Sequence, residues 1–214
     1  MNINTKQYWE ERFGSGDWKA KGGFSQSSQL CESQIPFLNL PKDFTGFLVD
    51  FGCGAGDAFP IYKREFPNAK LAGIDISEEA IHLCRSRFGE IASFSQGDFT
   101  SVPECDIIIA SNVLEHLDDD QLITSELVKR CKRLVIVVPF EEEPLCDEHV
   151  RTYSKGSFDK FNVVRETVFA SLGWSEYGFR QRIVGVYIGN IFRYLARQPR
   201  RKRRLQILYE IACS

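Results

Sequence analysis

The chain has 214 residues, a formal net charge of −2, 43% hydrophobic and 26% charged residues. This is ordinary for a soluble globular protein and is long enough for one domain over 1–214 with a sizeable core. Near-neutral charge gives no global pull toward nucleic acid or membranes, and no run approaches the ~18 apolar residues of a membrane span.

The N-terminus is polar and lacks the apolar core of a signal peptide. Seven cysteines are scattered, none forms a CxxC, and the count is odd. That pattern predicts reduced thiols in the cytoplasm and argues against a zinc site.

Residues 1–40 form an N-terminal segment of their own. Tyr8 to Phe13 reads as a short helix. Gly14 to Gln29, rich in Gly, Ser and Gln and containing Trp18, reads as a surface loop or as a lid over a ligand. A buried strand, Phe47 to Phe51, then runs into Gly52-Cys53-Gly54-Ala55-Gly56-Asp57. Glycines let the backbone bend sharply and approach a ligand closely, and the next helix offers free N–H groups. A dinucleotide fingerprint asks for G-x-G-x-x-G, but here the third glycine comes one residue early and Asp57 occupies its place. Cys53 reads as a small apolar filler within the turn.

The first crossover helix is predicted over Asp57 to Phe66, ending before Pro67. Lys70 to Ile76 is the second strand, ending in Asp75, 23 residues after Gly52. At that distance a carboxylate grips ribose hydroxyls, since it accepts two hydrogen bonds from a vicinal diol. Read alone, Asp75 is a strand-end turn residue or helix cap. Ser77 to Phe88 is the second helix, N-capped by Ser77, with no capping box. His82 falls on it as a surface residue.

A third strand, Ala92 to Gln96, ends in Gly97-Asp98-Phe99. A fourth, Asp106 to Ala110, ends in Ser111-Asn112-Val113-Leu114-Glu115-His116-Leu117. A helix over Asp119 to Cys131 leads to the fifth strand, Lys132 to Pro139, whose β-branched run suits burial on both faces. Glu141 to Glu143 reads as a solvated loop, followed by Glu148-His149-Val150-Arg151-Thr152-Tyr153-Ser154. A helix over Phe158 to Leu172, stopped by Gly173, and strands over Ser175 to Val184 and Gly185 to Phe192 complete the pattern. The alternation predicts an α/β fold, a Rossmann-like doubly wound sheet of seven strands. A basic tail or helix, 193–214, closes the chain, with Arg193, Arg197, Arg200, Arg201, Lys202, Arg203 and Arg204 ahead of an apolar stretch.

The glycine turn, Asp75, Asp98-Phe99 and the Ser-Asn-Val-Leu-Glu-His segment, each at a strand's carboxyl end, resemble the motifs of class I S-adenosylmethionine-dependent methyltransferases. The likeness covers about residues 45–155 and is nearest the small-molecule type, similar to ubiquinone-pathway and glycan O-methyltransferases. It implies a mostly parallel sheet closed by a C-terminal antiparallel hairpin. It also implies S-adenosylmethionine as cofactor, with Asp50, Gly52, Gly54, Gly56, Asp75, Ile76, Asp98, Phe99 and Asn112 around it. Asp50 would hold the glycine turn or the cofactor's amino group, Asp75 the ribose, and Asp98 and Phe99 the adenine. In that family N-terminal segments shield the methyl donor, so Trp18 is placed over the cofactor and acceptor.

An acceptor hydroxyl gains from a general base. His149, in a segment resembling the acceptor-side loop of such enzymes, is one candidate, and His116, after the fourth strand, is the competing one. Arg151 is expected to orient a polar or acidic acceptor. Metal-dependent catechol-type relatives would carry an acid directly after the fourth strand, where Ser111 and Asn112 stand, so no metal is expected. The motifs of DNA-amino and cysteine-dependent RNA methylation are absent. The acceptor class is therefore a small molecule, a glycan or a lipid-linked compound, methylated at oxygen, with membrane contact through the basic segment. Two other readings stay open: a catalytically silent S-adenosylmethionine-binding regulator, and an RNA methyltransferase using the basic tail.

Overall fold

Phe47–Phe51 forms the first strand, β1, buried along all but its first residue. Strand β2 is Lys70–Asp75, β3 Ser93–Gln96, β4 Cys105–Ser111 and β5 Cys131–Phe140. The computed structural model describes residues 3–171, 188, 191–197 and 205–213. Within them two further strands, β6 (Val163–Ala170) and β7 (Leu205–Ala212), complete a seven-stranded sheet of order β3-β2-β1-β4-β5-β7-β6. β1 to β5 pair in parallel, whereas β7 runs antiparallel between β5 and β6. This is the Rossmann-like sheet with an antiparallel C-terminal hairpin.

The hairpin is built from other residues than expected. The segment predicted as a helix over 158–172 contains β6, because Val163, Val164, Thr167, Val168 and Phe169 suit a pleated surface better than a helix. The strand expected over 175–184 lies outside the described residues. The one expected over 185–192 is not seen where it is described, since residues 188, 191 and 192 are helical. The stretch Leu205 to Ala212, expected to follow a basic tail, is instead the inserted strand. Gln206, Ile207, Leu208 and Tyr209 are fully buried within it. Residues 198–204, which carry most of the basic run, lie outside the described residues.

Six helices surround the sheet among the described elements: α1 Lys6–Gly14, α2 Asp17–Ala20, α3 Gly23–Gln34, α4 Phe59–Glu65, α5 Glu78–Phe88 and α6 Asp120–Leu127. Thus 14–29, read as a loop or lid from its glycines and serines, is mostly helical. α6 stops well short of Cys131, which already pairs with Cys105 in the sheet. α5 has the Ser77 cap, whose Oγ accepts from Ala80 N at 3.1 Å. Its missing capping box is supplied from α1, where the Glu10 carboxylate accepts from Glu78 N (2.8 Å), Glu79 N (3.0 Å) and Ser77 Oγ (2.8 Å). N-caps of this kind contribute about 1 kcal/mol, and here they also seat the N-terminal helix on the sheet's carboxyl edge.

The core has two faces separated by the sheet. Ile107 and Ile109 of β4 join Leu48, Phe59, Tyr62 and Ile81 on one side. Ile108 and Ala110 join Val49, Ile74, Leu134 and Tyr209 on the other. That alternation is the two-residue period of a strand.

Candidate ligand-binding site at the sheet's carboxyl edge

The glycine turn is where β1 ends. Gly52, Gly54 and Gly56 all adopt positive φ (74°, 53° and 79°). Gly52 N and Cys53 N both donate to Ile74 O, at 2.8 and 3.0 Å, which fastens the turn to the end of β2. A Cβ on Gly52 would come within 2.3 Å of Val113, whereas one on Gly54 would meet only the Phe13 ring, at 3.5 Å. Cys53 packs over Gly73 as buried filler.

Above this turn opens a cavity of about 860 Å³, within the range of small-molecule sites. Asp50, Gly52, Gly54, Asp75, Ile76, Asp98, Phe99, Asn112 and His116 line it, together with Trp18 from α2 and His149 from the loop after β5. The topology explains this convergence, because ligands in open α/β sheets sit outside the strands' carboxyl ends. Two expected residues are elsewhere. Gly56 backs onto Cys84 and Phe88 and serves helix packing. Arg151 is turned to Asp120 Oδ1 and Asp118 O, bracing the chain after β5 against α6, since burial of Asp120 calls for a cation. His82 is exposed on α5.

Three carboxyls in the cavity differ in environment. Asp75 Oδ2 accepts from Gly54 N at 2.8 Å and Oδ1 from Ser77 N at 2.9 Å. Burial raises its pKa to about 6 against the pull of those N–H groups. Asp50 is pushed further, to about 8, by burial and then by the charge of Asp75. Asp98 lies at the exposed mouth, and hydrogen bonds from the Thr100 hydroxyl and amide hold its pKa below the ordinary value. An acid that stays charged at the mouth and two acids poised by burial behind it suit a ligand with hydroxyls and amino groups.

The floor is a polar chain that the sequence did not announce. Gln34 Nε2 donates to Tyr62 OH (3.2 Å), and Gln34 Oε1 accepts from Ser111 Oγ (2.7 Å). Asn112 Nδ2 donates to Ser111 Oγ (3.1 Å), and its Oδ1 accepts from Gln206 Nε2 (2.6 Å). Asn112 has a φ of 56°, a conformation asparagine tolerates better than most residues. The chain joins α3, the end of β4 and β7, elements far apart in sequence.

Where the loop after β5 meets the end of β4, the two histidine rings stand edge to face, with centroids 4.9 Å apart. His116 Nδ1 bonds Glu148 O at 3.0 Å, and His149 Nδ1 bonds the Glu142 carboxylate. Burial and then His149 lower the pKa of His116 to about 4. For His149 burial is the largest influence and works downward, but the Glu142, Glu115 and Glu148 carboxylates together outweigh it and the pKa is raised. Glu115, between them, is 1% exposed, and burial raises its pKa to about 7. Glu115 stands inside the Leu-Glu-His string, and its adjacency to a strand-end histidine was the signal available for it.

The N-terminal segment roofs the cavity. Trp18 packs on Phe13 with centroids 5.2 Å apart, and the Arg12 guanidinium stacks 5.6 Å from its ring. Arg12 also pairs with Glu148 at 3.1 Å, the carboxylate that Tyr8 OH bonds.

Residues 48–135 match the model of a family described as methyltransferase domain. Trans-aconitate 2-methyltransferase of Azoarcus sp. (strain BH72) is 26% identical over 96 residues, 44% of this chain and 38% of that protein. Malonyl-[acyl-carrier protein] O-methyltransferase of Neorickettsia risticii (strain Illinois) is 29% identical over 116 residues, 52% of this chain and 45% of that protein. The chain thus spans less than half the length of these curated relatives. Among solved structures, magnesium protoporphyrin IX methyltransferase from Synechocystis PCC 6803 with bound SAH superposes with a TM-score of 0.62 at 15% identity. That match covers 98% of this chain and 100% of the other. No helix among the described residues is long and apolar enough to cross a membrane.

Proposed function

We propose that this chain, whose residues 48–135 match a methyltransferase domain model within a seven-stranded Rossmann-like sheet, methylates an acceptor at oxygen with S-adenosylmethionine as donor. The observation that carries this reading is the convergence of Gly52, Gly54, Asp75 and Asp98 on one cavity of about 860 Å³. The donor set fits the cofactor. Buried Asp75 keeps lone pairs for a ribose diol beyond the two N–H groups it accepts. Asp50 offers a carboxyl to an α-ammonium, and Phe99 beside Asp98 offers an apolar face and an acceptor to a purine. The bound cofactor would supply a methyl on a sulfonium, whose leaving group departs as a neutral thioether.

With so good a leaving group, the protein's part is mainly to position two reactants, which can contribute roughly 7–11 kcal/mol. Trp18, Phe13 and Arg12 exclude water from above, and the Gln34–Ser111–Asn112 chain fixes the floor. Of the two candidate bases, His116 is neutral at physiological pH and so able to take a proton. His149, held by Glu142, is the stronger base. The acceptor is a small molecule, glycan or lipid-linked compound, and the relatives named for trans-aconitate and malonyl-[acyl-carrier protein] support a small or carrier-borne one. Exposed Ile191, Phe192 and Leu195 beside Arg193 support contact with a lipid-linked acceptor. Seven free thiols support a reducing, cytoplasmic setting.

Calorimetry with S-adenosylmethionine and its demethylated product is the direct test. Binding of both, and labelled-methyl transfer into a metabolite extract that Asp75→Ala abolishes, is the expected result. Binding of NAD with neither of them would overturn the reading.

A further inference from the structure

We propose that Glu115, His116 and His149 form a site for a divalent transition-metal ion of the zinc type, opening on the acceptor side of the cavity. One potential ligand atom from each of the three residues lies within 4.8 Å of the others. Two imidazoles and one carboxylate are the protein ligands of one class of catalytic zinc site, which keeps an open position for a substrate. All three residues line the cavity, so such an open position faces it.

Two further observations point the same way. First, the Glu115 side chain is almost wholly buried, yet neither of its oxygens has a hydrogen-bond partner among the described residues. A carboxylate sequestered without donors is costly unless a cation meets it; among the described residues no Lys or Arg ion pair reaches it, and the imidazole of His149 is its one cationic neighbour. Second, both histidines are already oriented in the way metal-bound histidines are. His116 Nδ1–H donates to Glu148 O at 3.0 Å, and His149 Nδ1 is held by the Glu142 carboxylate. A partner on Nδ1 fixes the tautomer and presents Nε2 as the ligating nitrogen, and carboxylate partners strengthen it. The backbone reinforces the placement, since Val150 N donates to Glu115 O at 2.8 Å and pins the His149 loop beside Glu115.

Imidazole and carboxylate together favour Zn²⁺, Mn²⁺ or Fe²⁺ over Mg²⁺ or Ca²⁺, which prefer oxygen alone. The role assigned to the ion rests on the methyl-transfer reading, whereas the binding itself does not. With the ion bound both histidines are its ligands rather than general bases, and an acceptor hydroxyl in the open position would lose its proton to water at lower pH, the O–H electron pair staying on oxygen as the nucleophile. The acceptor class is therefore one whose reacting oxygen, or an oxygen beside it, can ligate a metal.

The test uses the full chain stripped of metal, with Zn²⁺ and Co²⁺ as probes. Titration against a chromogenic chelator should show one saturable Zn²⁺ per chain, and Co²⁺ should give the visible absorption of a low-coordinate nitrogen–oxygen site. His116→Ala, His149→Ala and the isosteric Glu115→Gln should each weaken Zn²⁺ by about 100-fold. Glu142→Gln, which leaves all three ligands and removes only a supporting partner, should weaken it by about 10–100-fold. Circular dichroism separates these effects from unfolding, and Glu142→Gln keeps the test decisive should an alanine variant unfold. Absence of saturable binding to wild type, or equal affinity in the His116→Ala/His149→Ala double variant, overturns the site. Calorimetry of the same metal-free protein with S-adenosylhomocysteine separates the two proposals. Cofactor binding without metal binding sinks only the metal site, and metal binding without cofactor binding sinks only the methyl-transfer reading.

Discussion

Asp75 Oδ2 accepts the N–H of Gly54 at 2.8 Å, so the acid that ends β2 clamps the glycine turn that ends β1. Its other oxygen holds Ser77 N at the start of α5. One carboxylate therefore shapes the turn, starts a helix and faces the cavity. Asp75→Ala removes all three roles and leaves two backbone donors without their acceptor. It should cost about 1–3 kcal/mol of stability and weaken S-adenosylhomocysteine by about 100-fold or more. Asp75→Asn, which retains one acceptor, should keep more of the stability than of the affinity. Denaturant melts beside calorimetry check this, and a variant with full affinity would show that Asp75 is only a turn residue.

Stability of the ligand-free protein should fall as pH rises from about 4 to about 8. Asp50 has an ordinary pKa of 3.8 and a folded value of about 8, set by burial and by Asp75. A carboxyl with the higher pKa in the folded state binds more protons there, so its contribution is lost as pH climbs between the two values. Asp75, raised from 3.8 to about 6, adds a slope of the same sign over a narrower window. Asp50→Asn should flatten the upper part of that slope and stabilise the apo protein near pH 8, with a ceiling of about 6 kcal/mol. The same variant should bind S-adenosylmethionine more weakly if Asp50 meets the ammonium. Thermal melts across pH decide it, and an unchanged slope in Asp50→Asn would show that the carboxyl does not titrate in that range.

What was legible in the sequence follows from local physics. Strands β1, β4 and β5 announced themselves because strands buried on both faces read as nearly continuous apolar runs, whereas β3, Ser-Phe-Ser-Gln with one buried residue, was legible from its place in the alternation. The cavity acids were legible because they sit at or just past the carboxyl ends of the strands, Asp50 within β1, Asp75 closing β2 and Asp98 two residues after β3. The hairpin was not. β7 is separated from β5, its neighbour, by more than sixty residues of chain, and nothing local says that Leu205 to Ala212 inserts ahead of β6. Gln34, Gln206 and Glu142 escaped for the same reason. Each is an ordinary polar residue until tertiary contact puts it against Ser111, Asn112 or His149. Arg151 was misplaced because a sequence shows a charge but not the buried Asp120 that claims it. Glycine and serine made 14–29 look like a loop or lid, but Trp18 packs across Gly23 and on Phe13 of α1, which ties it down as helices.

The glycines of the turn should not be equally replaceable. Gly52→Ala meets both a φ of 74° and a Val113 methyl 2.3 Å from the new Cβ. Gly54→Ala meets a φ of 53°, in the region L-residues tolerate best, and an ordinary 3.5 Å contact with Phe13. Gly54→Ala should therefore cost about 1 kcal/mol and Gly52→Ala about 2–4 kcal/mol, since overpacking adds to backbone strain. Because Gly54 lines the cavity, its variant should lose cofactor affinity out of proportion to stability. Equal melting losses for the two would contradict this account of the turn.

Glu148 ties the roof to His116 in the cavity wall, and losing its charge should loosen that roof. Its carboxylate takes Tyr8 OH and lies 3.1 Å from Arg12, and its carbonyl accepts from Asn4 Nδ2 at 2.7 Å and from His116 Nδ1 at 3.0 Å. Burial and the bond to Glu148 raise the pKa of Tyr8 to about 12, so the hydroxyl remains a donor throughout the physiological range. Glu148→Gln keeps the carbonyl contacts and the shape but removes the charge that holds Arg12. The ion pair is largely shielded from water, so the cost should be about 1–2 kcal/mol, above that of an exposed pair. It should be concentrated in α1 rather than spread over the sheet. Amide exchange within residues 6–14 should quicken while that of β1 and β4 stays unchanged, and S-adenosylhomocysteine should dissociate about 10-fold faster. Uniform acceleration across the sheet would mean that Glu148 supports the whole fold. No acceleration in α1 would mean that the roof is held by Phe13 and Trp18 packing alone.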